Sequence, residues 1–424
     1  MRTAIVTGGR TPFAKAGSEL RNLTAADLGK IAVRETLARA NMDGELVDQL
    51  VFGTMVHNPQ APNIAREVGL AVLPKDVPAT TVSRACASAN QAIADGVNLI
   101  QLGLADIIVA GGSESLSNIP ITVSKRLSRV IVDASKARSL KARISIMSKV
   151  RPKDLVPVLP QIAEPTTGET MGESAERLAK ENGISRASQD EWALRSHRLA
   201  AAGVTDGRLR AEIAPVYLPP DFDTIADHDN GVRLDTNLEA LAALRPAFDQ
   251  RYGSVTAGNA SPLTDGGAAV LLMSEDAVRT HGVEPLGWIR SYAVTALDPG
   301  GQLLQGPAYA APKALDLAGI TMGDVDVMEM HEAFAAQVLS NLQALESAHF
   351  AEQELGRSSA VGHPDLDRIN VMGGSIALGH PFGATGARIT LTLANELRRR
   401  DGQFGLLTVC AAGGMGFAMV IERG

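Results

Sequence analysis

Two segments of this chain echo one another. LARANMDGELVDQLVFG begins at Leu37 and LDLAGITMGDVDVMEMH begins at Leu315, an offset of 278 residues. At that offset Leu37, Ala40, Val47 and Asp48 meet Leu315, Ala318, Val325 and Asp326. Each segment reads as the end of a helix, a turn, a short VD step and an apolar strand. Other features recur in both halves: a turn of small residues, a helix, and an apolar strand closing on Gly-Gly, as in ADIIVAGGSES and QFGLLTVCAAGG. A repeat this wide in 424 residues points to two similar halves, a duplication. Strands alternating with helices make each half a layered α/β unit.

Strands are expected at TAIVTG, DQLVFGTMV, ADIIVAGGSES and QFGLLTVCAAGG. After Cys86, Ile93, Val97, Ile100 and Leu104 fall at helical spacing and mark one buried face. Thr170 to Glu176 reads as a helix entry, and Ser188 with Glu191 as a capping box. Regular architecture resumes at SVTAGNASPLTDGGAAVLLMS. The halves are divided as 1–120 with 251–285, and 286–424, with a mostly helical loop domain inserted over 121–250.

The insertion begins with an unusual stretch. Residues 121–153 carry ten Lys or Arg side chains against one acid, Asp133, inside a chain of net charge −7. Leu127, Val130, Ile131 and Ala134, then Leu140, Ile144 and Met147, recur at helical spacing, so the segment is basic and amphipathic. A solvated helical face and a contact with an anionic membrane, an acidic partner or cofactor phosphates are equally open from these residues. The acidic balance of the whole chain and its 4% aromatic content give no nucleic-acid footprint. MRTAIVTGGRTPF reads as a first strand and not as a signal peptide, and no window approaches the ~20 apolar residues of a membrane span. Two cysteines with no CxxC spacing form neither a disulfide framework nor a metal knuckle, which favours a reducing, cytoplasmic setting.

The same two cysteines carry the chemistry. Cys86, in VSRACASAN, directly precedes a helix, whose free N–H groups and partial positive charge lower a thiol's pKa and stabilise an oxyanion. A lone thiol there is as readily an inert core side chain. Cys410, in CAAGGMG, ends a strand at a turn whose N–H groups suit an oxyanion hole. His380 lies in the glycine-rich stretch GGSIALGHPFGATGAR, where close backbone approach holds it in place. His331, in MHEAFAAQ, is either functional or a satisfied core histidine, and Glu332 beside it suits a helix N-terminus. A zinc motif would need a second histidine at position 335, where Ala335 stands, so no metal role is expected. Hydrolysis through a cysteine needs one thiol. Two thiols with two imidazoles suit a reaction with both a thioester intermediate and a carbon acid.

RTPF, RACASA, TAGNASPLTDGGAA, HEAFA, GGSIALGHPFGATGAR and CAAGGMG together, in this order and over nearly the whole chain, resemble the thiolase family. The resemblance implies the thiolase fold: two repeated α/β halves forming a layered αβαβα core with an inserted loop domain, in a tight dimer. It implies Cys86 as the nucleophile attacking the keto carbon of a 3-ketoacyl-CoA, and Cys410 as the acid and base that handles the acetyl-CoA enolate and the incoming CoA. His380 would activate Cys86 and bind the thioester oxygen. Most thiolases have Asn where this chain has His331; HEAFA and CAAGG resemble the β-subunit type of the trifunctional fatty-acid oxidation complex. A second oxyanion hole would use the N–H groups of Cys86 and Ala412.

The resemblance also implies CoA as co-substrate, with no permanently bound cofactor. Arg233 would lie against adenine, Phe248, Ala257 and Ser261 along the pantetheine arm, Phe334 near the thioester and Met171 on the acyl side. Thr170 stands where short-chain members often have His. The expected partners are 3-ketoacyl-CoA and CoA, a second copy in a homodimer, and an α-subunit with hydratase and dehydrogenase activities, with peripheral membrane contact through 121–153 and no nucleic acid. The alternatives are a biosynthetic acetoacetyl-CoA thiolase, which runs the same chemistry in reverse, and a non-enzymatic scaffold subunit. A ketoacyl synthase would not need Cys410.

Overall fold

The structure is a computed structural model, and it describes residues 1–158 and 163–424. By compactness the chain divides into a large unit, residues 1–118 with 164–424, and a small one, 119–163.

The large unit is organised by the repeat. The first half contains β1 (Thr3–Arg10), α1 (Ala25–Ala40), β2 (Gln49–Gly53), α2 (Ile64–Val72), β3 (Ala79–Val82), α3 (Ser88–Gln101) and β4 (Ile107–Glu114). Strand β5 (Thr264–Ser274) completes it by pairing with both β1 and β4. The second half runs β6 (Gly287–Ala296), β7 (Val327–Met330), β8 (Phe404–Ala411) and β9 (Met415–Glu422). The strands join in one ten-stranded sheet whose main path is β7-β8-β9-β6-β1-β5-β4-β2-β3. The halves meet where Thr3–Ile5 of β1 pairs antiparallel with Gly287–Ile289 of β6.

The offset of 278 is a structural relation. It carries the end of α1 at Ala40 onto Ala318, the end of a helix spanning Gly306–Ala318, and Gln49 of β2 onto Val327 of β7. The capping chemistry repeats as well: Asn41 ends the first helix at φ 48° and Gly319 the second at φ 71°, both left-handed. A second offset, 297, carries Ser88 of α3 onto Thr385 and Ile107 of β4 onto Phe404 of β8.

The helix beginning at Thr385 runs to Arg399 and packs on α3. One buried core holds Ile93, Val97 and Ile100 of α3, Ile389 and Leu393 of that helix, Ile108 of β4 and Val409 of β8. A second core lies on the other face of the first half, under α1 and α2. A third covers β7–β9 with the Gly306–Ala318 helix. Each half's part of the sheet thus lies between the shared layer of α3 and the Thr385–Arg399 helix and an outer helix layer, α1 with α2 on the first half and the Gly306–Ala318 helix on the second. Leu104 departs from expectation: α3 ends at Gln101 and Leu104 is 69% exposed, because the turn at Gly103 (φ 68°) takes the chain off the buried face. The RTPF segment begins at the last residue of β1. Arg10 is fully buried and its guanidinium binds both carboxylate oxygens of Asp229, at 2.7 and 2.8 Å.

Two further helices belong to the large unit, Met171–Glu181 and Arg186–Thr205. Thr170 caps the first with a full capping box to Glu173. The second starts earlier than expected. Ser185 is its cap and accepts from the N–H of Ser188, so the Ser188–Glu191 pair lies inside the helix.

The small unit holds helices Lys125–Lys136 and Leu140–Met147. Ser124 caps the first, and Leu127, Val130 and Ala134 are buried. The second half of the expected apolar stripe is not: the Leu140–Met147 helix buries no residue, so Leu140, Ile144 and Met147 are exposed, and in the first helix Ile131 lies off the buried face.

Candidate active site

Cys86 sits between β3 and α3, at the mouth of the first half. The turn is tight: Ala85 takes a left-handed φ of 46°, and Ser88 Oγ accepts from the N–H of Arg84 and donates to the carbonyl of Ala85. The second half brings three groups to the same place. His331 follows β7, and its N–H bonds the carbonyl of Thr408 on β8. His380 is held through its N–H to the carbonyl of Pro262, at the approach to β5. Cys410 ends β8, paired with Gly416 across a hairpin that turns through Ala412, Gly413 and Gly414. Gly413 and Gly414 have φ of 84° and 69°, which glycine alone adopts readily.

These groups converge. One nitrogen of His331, one of His380 and the sulfur of Cys86 all lie within 4.8 Å of one another. The two imidazole centroids are 4.1 Å apart at a tilt of 48°. Backbone N–H groups of Ala412 and of Cys86 itself bear on the Cys86 sulfur and favour its thiolate. Cys410 is buried, and its thiol is pushed well up, by burial first and then by the adjacent Cys86. Such a place, with two sulfurs, two imidazoles and two backbone donors, suits a carbonyl that must be attacked, polarised and protonated. One thiol and two imidazoles are also a zinc-type donor set, so Cys86, His331 and His380 are the residues able to hold a soft divalent ion.

The electrostatics correct one expectation. The helix N-terminus was expected to lower the Cys86 pKa; instead burial pushes the thiol up to about 11, outweighing the two backbone donors. Burial, and then Arg388, likewise pushes His380 down to about 3; burial, then the His380 ring and Arg388, pushes His331 well below the ordinary value. The resting pair is therefore a neutral thiol and neutral imidazoles.

The candidate binding residues fall into two groups. Met171, Ala260 and Phe334 pack against the cluster that contains Cys410. Phe248 meets Phe334 edge-on with centroids 6.2 Å apart, over Gly172. Ser261 joins them through its N–H to the carbonyl of Ala333. Ala257 is exposed on the loop that follows the Pro246–Thr256 bridge, near Phe248 in the fold. Arg233 is exposed, and its backbone N–H bonds Nδ1 of His197 at 3.2 Å.

Several further residues build the site. Glu332 is fully buried and accepts from Trp192 Nε1 (3.0 Å), Ser196 Oγ (2.7 Å), Asn370 Nδ2 (2.8 Å) and the N–H of Ile376 (3.2 Å). It ties the His331 segment to the glycine-rich loop, a far stronger role than favouring a helix start. Glu114 accepts from Thr54 Oγ1 and the N–H groups of Met55, Val56 and Gly383, fixing the loop after His380 against the first half. Ser375, Thr385 and Arg388 also line the histidines. The one sequence signal for the last three was their place inside GGSIALGHPFGATGAR.

The family profile "Thiolase, N-terminal domain" matches residues 3–276, and "Thiolase, C-terminal domain" matches residues 283–423. A 3-ketoacyl-CoA thiolase of Yersinia pestis (strain Pestoides F) is 52% identical over 422 residues, covering 99% of this chain and 97% of that protein. Among solved structures, a Bacillus anthracis acetyl-CoA acetyltransferase matches with a TM-score of 0.85 at 33% identity, covering 99% of this chain and 98% of that one. Human mitochondrial 3-ketoacyl-CoA thiolase in complex with CoA matches with a TM-score of 0.83 at 34% identity, covering 100% and 98%.

Proposed function

The chain belongs to the thiolase family, and from that premise we propose that it cleaves 3-ketoacyl-CoA with CoA, giving acetyl-CoA and an acyl-CoA shortened by two carbons, in fatty-acid β-oxidation. The observation that carries this is the convergence of Cys86, His331 and His380 within 4.8 Å beside a second thiol.

In the proposed course, the Cys86 thiol gives its proton to His380 and its sulfur attacks the keto carbon. The carbonyl oxygen takes the negative charge. The bond between that carbon and its α-carbon breaks, and the electron pair leaves on the enolate of acetyl-CoA. Cys410 protonates the enolate carbon. The resulting Cys410 thiolate takes the proton of incoming CoA, whose sulfur attacks the acyl-enzyme and releases the Cys86 thiolate, which recovers its proton from His380. The N–H groups of Ala412 and Cys86 stabilise the oxyanion of the thioester stages.

The acyl-CoA is proposed to lie along Met171, Phe334, Phe248, Ser261 and Ala257, with Arg233 at its adenine end. CoA enters as a co-substrate. Proposed with this reading are a dimer, an α-subunit carrying hydratase and dehydrogenase activities, a cytoplasmic location, and the division into two halves around a loop domain at 121–250. Membrane or α-subunit contact through 121–153 is supported by the exposed Leu140, Ile144 and Met147 on a basic background. No helix among the described residues is long and apolar enough to cross a membrane.

The deciding experiment measures acetyl-CoA release from a ladder of 3-ketoacyl-CoA chain lengths, with and without free CoA. Cleavage that requires CoA and is abolished by Cys86→Ala supports the reading; no turnover on any chain length overturns it. Likeness to an acetyl-CoA acetyltransferase favours a second reading, condensation of acetyl units, which turnover confined to the shortest substrate would select.

A further inference from the structure

The two active-site histidines are wired differently. His331 Nδ1 lies 2.9 Å from Ser375 Oγ, and His380 Nδ1 lies 2.7 Å from Thr385 Oγ1. In both rings Nε2 is buried and meets no hydrogen-bond partner among the described residues, so both are free to face a ligand. What each Nε2 can do depends on where the ring proton sits, and the hydroxyl on the other side decides that.

Ser375 Oγ also receives Nη2 of Arg388, at 3.1 Å. A guanidinium only donates. The serine's own proton therefore needs an acceptor elsewhere, and among the described residues the one in contact is Nδ1 of His331. The reverse arrangement would bury a hydroxyl proton with no acceptor, against the near-universal pairing of buried donors. Arg388 is itself fixed, by the buried Glu329 at 3.2 Å. Thr385 differs. Its hydroxyl donates to the carbonyl of Pro381, at 3.2 Å, one helical turn back. Its oxygen is then open to accept a proton from His380 Nδ1.

We propose that Ser375 and Thr385 are positioning residues that hold the two imidazoles in opposite tautomers. Ser375, set by Arg388, keeps the proton of His331 on Nε2, making that ring a hydrogen-bond donor to the substrate oxygen. Thr385, set by Pro381, keeps the proton of His380 on Nδ1, leaving its Nε2 lone pair to take the Cys86 proton. The two rings lie 4.1 Å apart and their Nε2 atoms make no hydrogen bond to one another, so each is left to serve the ligand. The division of labour rests on the thiolytic reading; the tautomers themselves do not.

The test is nitrogen NMR of the resting protein labelled with 15N-histidine, near neutral pH, with signals assigned through His331→Asn and His380→Asn. The expected result is a protonated Nε2 in His331 and a protonated Nδ1 in His380. Ser375→Ala should release His331 to a mixture of tautomers and lower kcat roughly 10- to 100-fold with little change in KM; Ser375→Thr, which keeps the hydroxyl, should restore both. Thr385→Ser should keep the His380 tautomer and Thr385→Val should lose it. The same tautomer in both rings of the unmodified protein, or the reverse assignment, overturns the proposal whether or not any variant folds. Opposite tautomers in a protein with no thiolytic turnover would leave the proposal standing and remove the functional reading.

Discussion

His331 and His380 stand with ring centroids 4.1 Å apart, and among the described residues neither ring is hydrogen-bonded to a carboxylate. Their Nδ1 partners are hydroxyls, and burial dominates their titration. Two imidazoles so placed cannot both charge without repulsion, and the first-half thiol they face is itself pushed up to about 11. The resting site is neutral and its charges arise only during reaction.

Acid should therefore destabilise the fold through these rings. His380 is pushed down to about 3 from 6.5, so below pH ~6.5 the unfolded chain binds a proton that the folded chain refuses. Stability is full above that pH and falls as pH drops toward 3, by up to ~1.4 kcal/mol per pH unit for each such histidine. Denaturant midpoints at pH 7, 6 and 5 measure the slope. His380→Asn should flatten it; an unchanged slope would show that the ring titrates normally.

The Cys86 thiol should behave as a weak nucleophile until substrate binds. Alkylation by iodoacetamide is expected to climb about tenfold per pH unit from pH 7 towards 10, following the thiolate fraction. A plateau already reached at pH 6 would mean a preformed ion pair with a histidine. Replacing the base, His380→Ala, should lower turnover by ~10²- to 10⁴-fold while leaving alkylation at high pH nearly unchanged.

The two thiols are expected to fail differently. Cys86→Ala should give no acyl-enzyme by mass spectrometry. Cys410→Ala should still acylate from an acyl-CoA and then stall. Equal loss of acylation in both variants would remove the assigned division between nucleophile and proton carrier.

Glu332 should be a keystone of stability. Glu332→Ala leaves the donors of Trp192, Ser196, Asn370 and Ile376 without their acceptor in a closed interior. The expected loss is about 3 kcal/mol or more, since each unpaired buried donor costs about 1–3 kcal/mol. Equilibrium unfolding in urea reads it directly, and a change under 1 kcal/mol would show the network to be loosely held.

Replacing the lysines and arginines of 125–153 with Gln should weaken binding to anionic vesicles or to the α-subunit, and spare turnover of soluble substrate. Vesicle sedimentation and pull-down with the α-subunit measure the two. No change in either would make the segment an ordinary solvated face.

Much of this architecture is legible in the chain because its information is local. Helix ends, apolar strands and the 278-residue echo reappear with the same spacing in three dimensions, down to the left-handed caps at Asn41 and Gly319. The four reactive side chains stand out because each ends an element beside small residues. The supporting groups do not. Glu332 meets Trp192, and Glu114 meets Gly383, across separations that no spacing rule spans. The Cys86 titration is illegible for the same reason: a helix N-terminus is visible in sequence, whereas several groups gathered about the thiol, Ala412, His331 and His380, come from the other half. Leu104 and Ser188 fit periodic or capping patterns that a neighbouring turn and an earlier cap override.

The 297-residue offset between α3 and its counterpart has a consequence for how the duplicated fold works. It carries Cys86 onto Gly383, so the second copy of the nucleophile's turn has no side chain at the nucleophile's position. Nor has it room for one: a Cβ at Gly383 would come 2.5 Å from the carbonyl oxygen of Ser113, and one at Gly112 would come 2.0 Å from the carbonyl oxygen of Gly383. One copy keeps a thiol at this position, and the other is packed backbone to backbone against the first half there. Symmetry of folding has thus been retained while symmetry of chemistry has been given up. A thiol grafted at 383 would wedge the halves apart instead of doubling the reactive centres.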